Sequence, residues 1–180
     1  MFEGEPGIGK TTLLCKIGEG ISHLGVGGFC TQEIREKGRR VGFQIETCSG
    51  ESCILSHTRF KTGPRVGKYR VDVPGFERIG VAGLERALHK SSVILIDEIG
   101  KMELFSERFK EIVNQCLDSE KLVLATVMAR SHPLVDGLKR RSDVELLEVT
   151  MGNREQLAST LIKKAMSQCA SNASAGEGQK

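Results

Sequence analysis

"GEPGIGKTT", residues 4–12, matches the phosphate-loop pattern G-x-x-x-x-G-K-[ST] at Gly4, Gly9, Lys10 and Thr11. The spacing has a steric and an electrostatic reason. Gly4, Glu5, Pro6, Gly7, Ile8 and Gly9 must curl so that backbone amides point into a concave nest. Only glycine supplies the dihedrals and the close approach this needs. Lys10 then offers a point charge to the β- and γ-phosphates of a nucleotide, and Thr11 a hydroxyl ligand for Mg2+. The helix opening at Lys10 aims its partly positive end at the same phosphates. "KTTLLCKIGEGISHL" supports that helix, with Leu13, Leu14, Ile17, Ile21 and Leu24 at helical spacing before "GVGG" breaks it. Glu5 is a mild misfit, because a carboxylate beside phosphate is unfavourable unless it turns outward.

The second half of such a site is an acid ending a buried strand, able to hold the Mg2+ shell. Asp72 in "VDVPG" fits the D-x-x-G element of GTPases, and Asp97 ends "VILID". Three features favour Asp97. Its strand is continuously apolar, as a strand buried on both faces must be. No N-K-x-D stretch exists to read guanine, and Glu98 follows directly. Glu98 is the expected catalytic group, positioned to polarise the attacking water. Asp72 reads instead as a strand-end residue before a helix. Thr126, near the end of "KLVLATV", either senses the γ-phosphate or simply faces the core. Developing charge on the γ-phosphate calls for a further cation. Lys101, Arg35, Arg39 and Arg130 are candidates, each more often plain surface charge. Arg130 is best placed, since strand C-terminal ends bind ligands in α/β sheets.

Outward from these segments, "FCTQEI" and "VGFQIETC" alternate around a charged connector containing Gly38, which predicts a β-hairpin. A short run "CILS", a basic loop over 57–68, the strand "YRVDV" and a helix over 75–90 lead to "VILID". "SERFKEIVNQCL" predicts an amphipathic helix capped by Ser106, followed by strand 121–127. Helix 133–140, strand 144–149 and helix 153–168 complete the alternation. The pattern predicts one α/β domain over residues 1–168, its sheet mainly parallel with helices on both faces and an antiparallel hairpin added. The polar tail 169–180 is expected to be disordered.

The 180 residues suffice for one well-buried core, and aromatics at 4% with no Trp leave that core to Leu, Ile and Val. A net charge of +3 is too small to argue for nucleic acid or an anionic membrane, and neither partner is expected. No apolar run approaches the roughly 20 residues of a membrane span. Six cysteines without a C-x-x-C pair read as reduced thiols in a cytoplasmic chain. Monomer is the default expectation.

"GEPGIGKTTL", "GGFCTQEIREKGRRVGF", "VGKYRVDVPGFE", "VILIDEIGKMELFS" and "RRSDVELLEVTMGNR" occur in this order. Together they resemble the small P-loop nucleoside-triphosphatases, the family that includes the human cancer-related nucleoside-triphosphatase and its archaeal and bacterial relatives. The resemblance implies a RecA-like domain that hydrolyses ATP, GTP, CTP and UTP to diphosphate and phosphate with Mg2+, slowly and with loose base preference. It places phosphate-loop roles on Gly4, Gly7, Gly9, Lys10, Thr11 and Thr12, and the acid pair on Asp97 and Glu98. It also implies a hydrophobic strand of about five or six residues ahead of the loop, central and beside the acid-bearing strand. Only Met1, Phe2 and Glu3 precede Gly4. The first strand is therefore expected to be largely missing, as in a form shortened at its N-terminus. Each buried backbone group left unpaired would cost ~1–3 kcal/mol. Two alternatives stand beside hydrolysis: a small-molecule or nucleoside kinase with 57–68 as its lid, and a nucleotide-binding form without turnover.

Overall fold

The computed structural model describes the backbone of residues 1–176 and side chains through residue 168. Strand β1 (Phe2–Glu3) runs into the glycine loop and helix α1 (Lys10–Gly20). A 3-10 turn leads to β2 (Val26–Glu36) and β3 (Arg39–Thr47), the predicted hairpin. Its two-residue turn places Lys37 and Gly38 at φ 48° and 77°, the left-handed values that match a hairpin's twist. Then come β4 (Ser52–His57), β5 (Arg65–Val66) and β6 (Tyr69–Val71). The predicted helix over 75–90 is α2 (Val73–Phe76), a π turn (Glu77–Val81) and α3 (Ala82–Lys90). β7 (Val93–Ile99), α4 (Glu107–Asp118), β8 (Leu122–Val127), α5 (Pro133–Lys139), β9 (Leu147–Glu148) and α6 (Arg154–Gly176) follow.

The strands form one sheet in the order β5-β6-β4-β3-β2-β7-β8-β1-β9. From β2 to β9 neighbouring strands are parallel, while β3 to β6 extend the sheet antiparallel. β7 shows why its sequence is apolar throughout. Ile94 and Ile96 join the layer under α3 and α4 (Leu84, Phe109, Val113), whereas Val93 and Leu95 join the layer under α1 and α6 (Leu14, Ile17, Ala158). Helix α1 lies close on the sheet because Gly18 carries no side chain, and bare Gly28 lets β2 lie against the β7 backbone. A Cβ on Gly18 would sit 2.6 Å from Leu95 Cδ1, and one on Gly28 would collide with the Leu95 carbonyl.

The first strand is cut to two residues, as the sequence leads one to expect. The structure departs from the sequence reading in its place: β1 does not lie beside the acid-bearing strand. It sits between β8 and β9, with Phe2 level with Thr126 and Leu147, so β8 separates it from β7. Phe2 is buried among Leu13, Leu14 and Leu124. The Met1 and Glu3 carbonyls accept from Leu147 N and Val149 N, both at 2.8 Å, and Met1 N donates to Glu145 O at 2.7 Å. Glu3 pairs with Lys139 at 2.5 Å. Below Met1 a groove of about 400 Å³ opens between β8 and the run into β9, lined by Leu122, Leu124, Val144, Leu161 and Ala165.

Other differences are local. Strand 144–149 narrows to Leu147–Glu148, because β1 offers it only a short edge. The basic loop contributes β5, paired to β6. The last helix runs to Gly176, past its predicted end at 168. Of the tail expected to be disordered, residues 177–180 lie outside the described residues.

Candidate active site

The C-terminal ends of β1, β8 and β7 lie side by side, which brings the glycine loop, Thr126 and the Asp97–Glu98 pair together. In the loop Gly4, Gly7 and Gly9 have φ of 155°, 84° and 97°, a backbone that side-chain-bearing residues rarely adopt. A Cβ on Gly4 would also meet the Val149 carbonyl at 2.7 Å. Ile8 N donates to Glu5 O at 3.2 Å, closing the turn, and Leu13 N donates to Gly9 O at 2.9 Å as α1 begins. Glu5, Pro6, Gly7 and Thr12 are exposed. The Glu5 carboxylate therefore has the outward path that removes its conflict with phosphate.

Asp97 is 1% exposed, and a buried carboxylate needs donors. Thr126 Oγ1 donates to its Oδ1 at 2.6 Å and Thr11 Oγ1 donates to the same oxygen at 3.1 Å. Thr31 N donates to Oδ2 at 3.1 Å, and Thr31 Oγ1 donates to the Asp97 carbonyl. Burial pushes the Asp97 carboxyl up, while the threonine donors and Lys10 pull it back. Thr11 spends its proton on Asp97 and keeps lone pairs for a cation. A hydroxyl and a carboxylate oxygen are the hard donors Mg2+ takes, with waters and phosphates filling its remaining positions. The residues present fit that ion. Among the described residues no cluster of three or more His, Cys, Asp or Glu could hold a metal ion.

Lys10 Nζ donates to Gly4 O at 3.0 Å and lies 3.7 Å from Glu98 Oε1. The lysine thus bridges the start of the loop and the second acid. Burial raises the Glu98 pKa, Lys10 opposes that shift, and Asp97 adds to it. Gly100 keeps the space beside Glu98 open. A Cβ there would lie 3.0 Å from Glu103 Oε2 and 3.3 Å from Glu98 Oε2. Burial pushes the Glu103 carboxyl up to about 8.

Thr126 faces Asp97, which gives it a role in holding the acid. Lys101 and Arg130 are exposed in the turns after β7 and β8, on the same edge of the sheet as the loop. Arg35 and Arg39 lie at the far end of the hairpin. Arg35 is bonded there to Glu33 and Gly38 O, four residues beyond Thr31 and so ~13 Å further along the strand. The structure does not bring these two to the acids. Asp72 caps α2 by accepting from Gly75 N at 3.0 Å, and four strand steps separate β6 from β7.

Sequence reasoning missed three contributors: Thr31, Glu103 and Arg154. Arg154 opens α6, covers Gly9, and donates through Nη1 to Ile8 O at 3.3 Å. The only sequence signals were that Thr31 sits in the hairpin segment, Glu103 in "DEIGKMEL" and Arg154 in "TMGNR".

A glycine loop opening a helix, an acid pair on the strand two places away and a threonine from the strand between them define a P-loop nucleotide enzyme. The model of the family described as NTPase matches residues 1–169. Nucleoside-triphosphatase THEP1 of Thermotoga sp. (strain RQ2) is 45% identical over 162 residues, covering 90% of this chain and 92% of that protein. The crystal structure of THEP1 from Aquifex aeolicus superposes with a TM-score of 0.80 at 41% identity, covering 89% of this chain and 94% of that one. The solution structure of a human cancer-related nucleoside triphosphatase gives 0.78 at 38% identity, covering 92% and 96%. The chain belongs to this NTPase family and is an enzyme of it.

Proposed function

We propose that the chain hydrolyses nucleoside triphosphates to diphosphate and phosphate, with Mg2+ and with loose choice of base. The observation that carries the reading is the convergence of Lys10, Thr11, Asp97 and Glu98, with Thr11 at 3.1 Å from Asp97 and Lys10 at 3.7 Å from Glu98. The names of the relatives point the same way. Loop amides hold the β-phosphate in the nest, and Lys10 exchanges its Glu98 and Gly4 contacts for phosphate oxygens. Mg2+, when bound, neutralises the oxygens of the leaving diphosphate. Released from Lys10, the Glu98 carboxylate orients a water in line with the γ-phosphate and accepts its proton. Loose base choice is supported by the lack of an N-K-x-D stretch in the sequence.

Phosphate release from ATP, GTP, CTP and UTP, with Mg2+ or with chelator, tests the reading. Lys10→Ala and Glu98→Gln should each lose about 100-fold in rate. Equal background rates in the wild type and both variants would end the idea. Glu98 must be ionised to act, so the rate should climb with pH through a value above the ordinary carboxylate range. The kinase reading loses its lid, because 57–68 leads into β5 at the opposite end of the sheet from β1 and β9. Transfer to a nucleoside acceptor exceeding transfer to water would restore it.

A further inference from the structure

Two thiols that the hydrolysis does not use meet on the α1 side of the site. Strand β2 runs level with β7, Gly28 beside Leu95 and Phe29 beside Ile96. Phe29 and Ile96 face the α3–α4 layer, so by alternation Cys30 faces the α1 side. On α1, Cys15 lies one turn after Thr11 and one turn before Gly18, the residue whose close approach seats the helix on Leu95. Thr11 and Thr31, the neighbours of the two cysteines, both hydrogen-bond Asp97 at 3.1 Å. The two thiols are close enough to perturb one another, Cys30 lowering the Cys15 pKa and Cys15 raising that of Cys30. Both are partly exposed free thiols, within reach of a small oxidant.

We propose that Cys15 and Cys30 form a reversible disulfide that closes down the nucleotide site, with hydrogen peroxide as oxidant. The Cys15 thiolate attacks one peroxide oxygen, the O–O bond breaks, and a sulfenic acid and a first water form. The Cys30 sulfur then attacks the sulfenic sulfur, and the S–O bond breaks. The oxygen leaves as a second water with the Cys30 proton. Two thiols lose two electrons and two protons, and the peroxide becomes two waters. The new bond holds the sulfurs about 2.05 Å apart, closer than hydrogen-bonded thiols. Helix α1 is drawn toward β2, and Thr11 and Thr31 shift against the acid they share. Misplacement of ~1 Å at such a site costs up to about 100-fold. The loss of function rests on the hydrolysis reading; formation of the bond does not.

The test treats the full chain with stoichiometric hydrogen peroxide, alkylates it, digests it with trypsin and analyses the peptides by mass spectrometry. Cys15 falls in the peptide 11–16, Cys30 in 17–35 and Cys48 in 41–59. The expected result is a cross-link of 11–16 to 17–35 that dithiothreitol reverses. Phosphate release and binding of a fluorescent nucleotide should fall about tenfold with it and recover with reductant. Cys15→Ser and Cys30→Ser should keep the reduced rate and become insensitive to peroxide. The proposal is overturned if that cross-link is absent, if Cys48 is the partner instead, or if nucleotide binding is unchanged in the cross-linked chain. A reduced chain that binds nucleotide without turnover removes the hydrolysis reading alone, and the cross-link with its binding loss still decides this one.

Discussion

At the scale of single residues, the site is organised around one buried carboxylate. Asp97 takes two threonine hydroxyls and a backbone amide, from α1, β8 and β2 respectively. Those donors oppose the upward push of burial on its pKa and hold it in place beside the loop. Removing a hydroxyl without changing shape isolates the effect. Thr126→Val should lower kcat by about tenfold and raise the Mg2+ concentration needed for half-maximal rate, since outer partners of a metal-holding acid carry effects of that order. Melting curves run alongside separate this from simple destabilisation. Glu103 gives a prediction of opposite kind. Its pKa rises from the ordinary 4.5 to about 8 in the folded chain. Between those values the folded state keeps a proton that the unfolded chain releases. The stability this group adds is thus present at low pH and lost as pH rises toward 8. In Mg2+-free buffer, Glu103→Gln should flatten the fall in melting temperature between about pH 5 and 8. An unchanged slope would mean the group is ionised throughout.

At the scale of elements, local signals and packing agree for the helices. Ser106 caps α4 as its sequence predicts, accepting from Phe109 N at 3.0 Å. The same hydroxyl donates to Glu77 Oε1 at 2.6 Å, tying α4 to the π turn before α3. Ser106→Ala removes the cap and the Glu77 contact together. A cap alone is worth ~1 kcal/mol, so a loss of about 1–2 kcal/mol in denaturant unfolding is expected, with phosphate release at the wild-type rate. Helix α1 is decided differently. Its apolar spacing names the face that packs, but Gly18 sets how closely it packs on Leu95, and that closeness brings Thr11 to Asp97. Strand β9 is shorter than its sequence suggests for a related reason: "VELLEV" carries four apolar residues in six, yet a strand is only as long as its neighbour's edge.

At the scale of the molecule, the sheet has a gap where β1 ends. Met1 and Phe2 bridge β8 and β9, and below them a groove of about 400 Å³ runs on between Leu122, Leu124 and Val144. An apolar segment of four residues joined ahead of Met1 has the register to extend β1 into that groove. It should raise the melting temperature by about 5 °C or more, from buried apolar area and added strand pairing. It should also protect the Leu122–Leu124 amides from hydrogen exchange, and no gain in either would show that the groove does not take a strand. The whole fold class was legible because strands and helices alternate along the chain. The loop and its lysine were legible because all their determinants are contiguous, and Asp97–Glu98 because a buried parallel strand must be apolar until it ends. Thr31 and Arg154 were not legible as site residues, since each reaches the site from an element distant in the chain, and Glu103 was not, since only the turn after β7 folds it back beside Glu98. The sequence by itself determined the phosphate loop, the helix behind it and the acid pair, through local sterics and hydrophobic pattern. Only the tertiary structure decided that β8 lies between β1 and β7, and so which threonines hold Asp97. Strand order follows from how helices cover both faces of the sheet, a long-range packing outcome that no local stretch encodes.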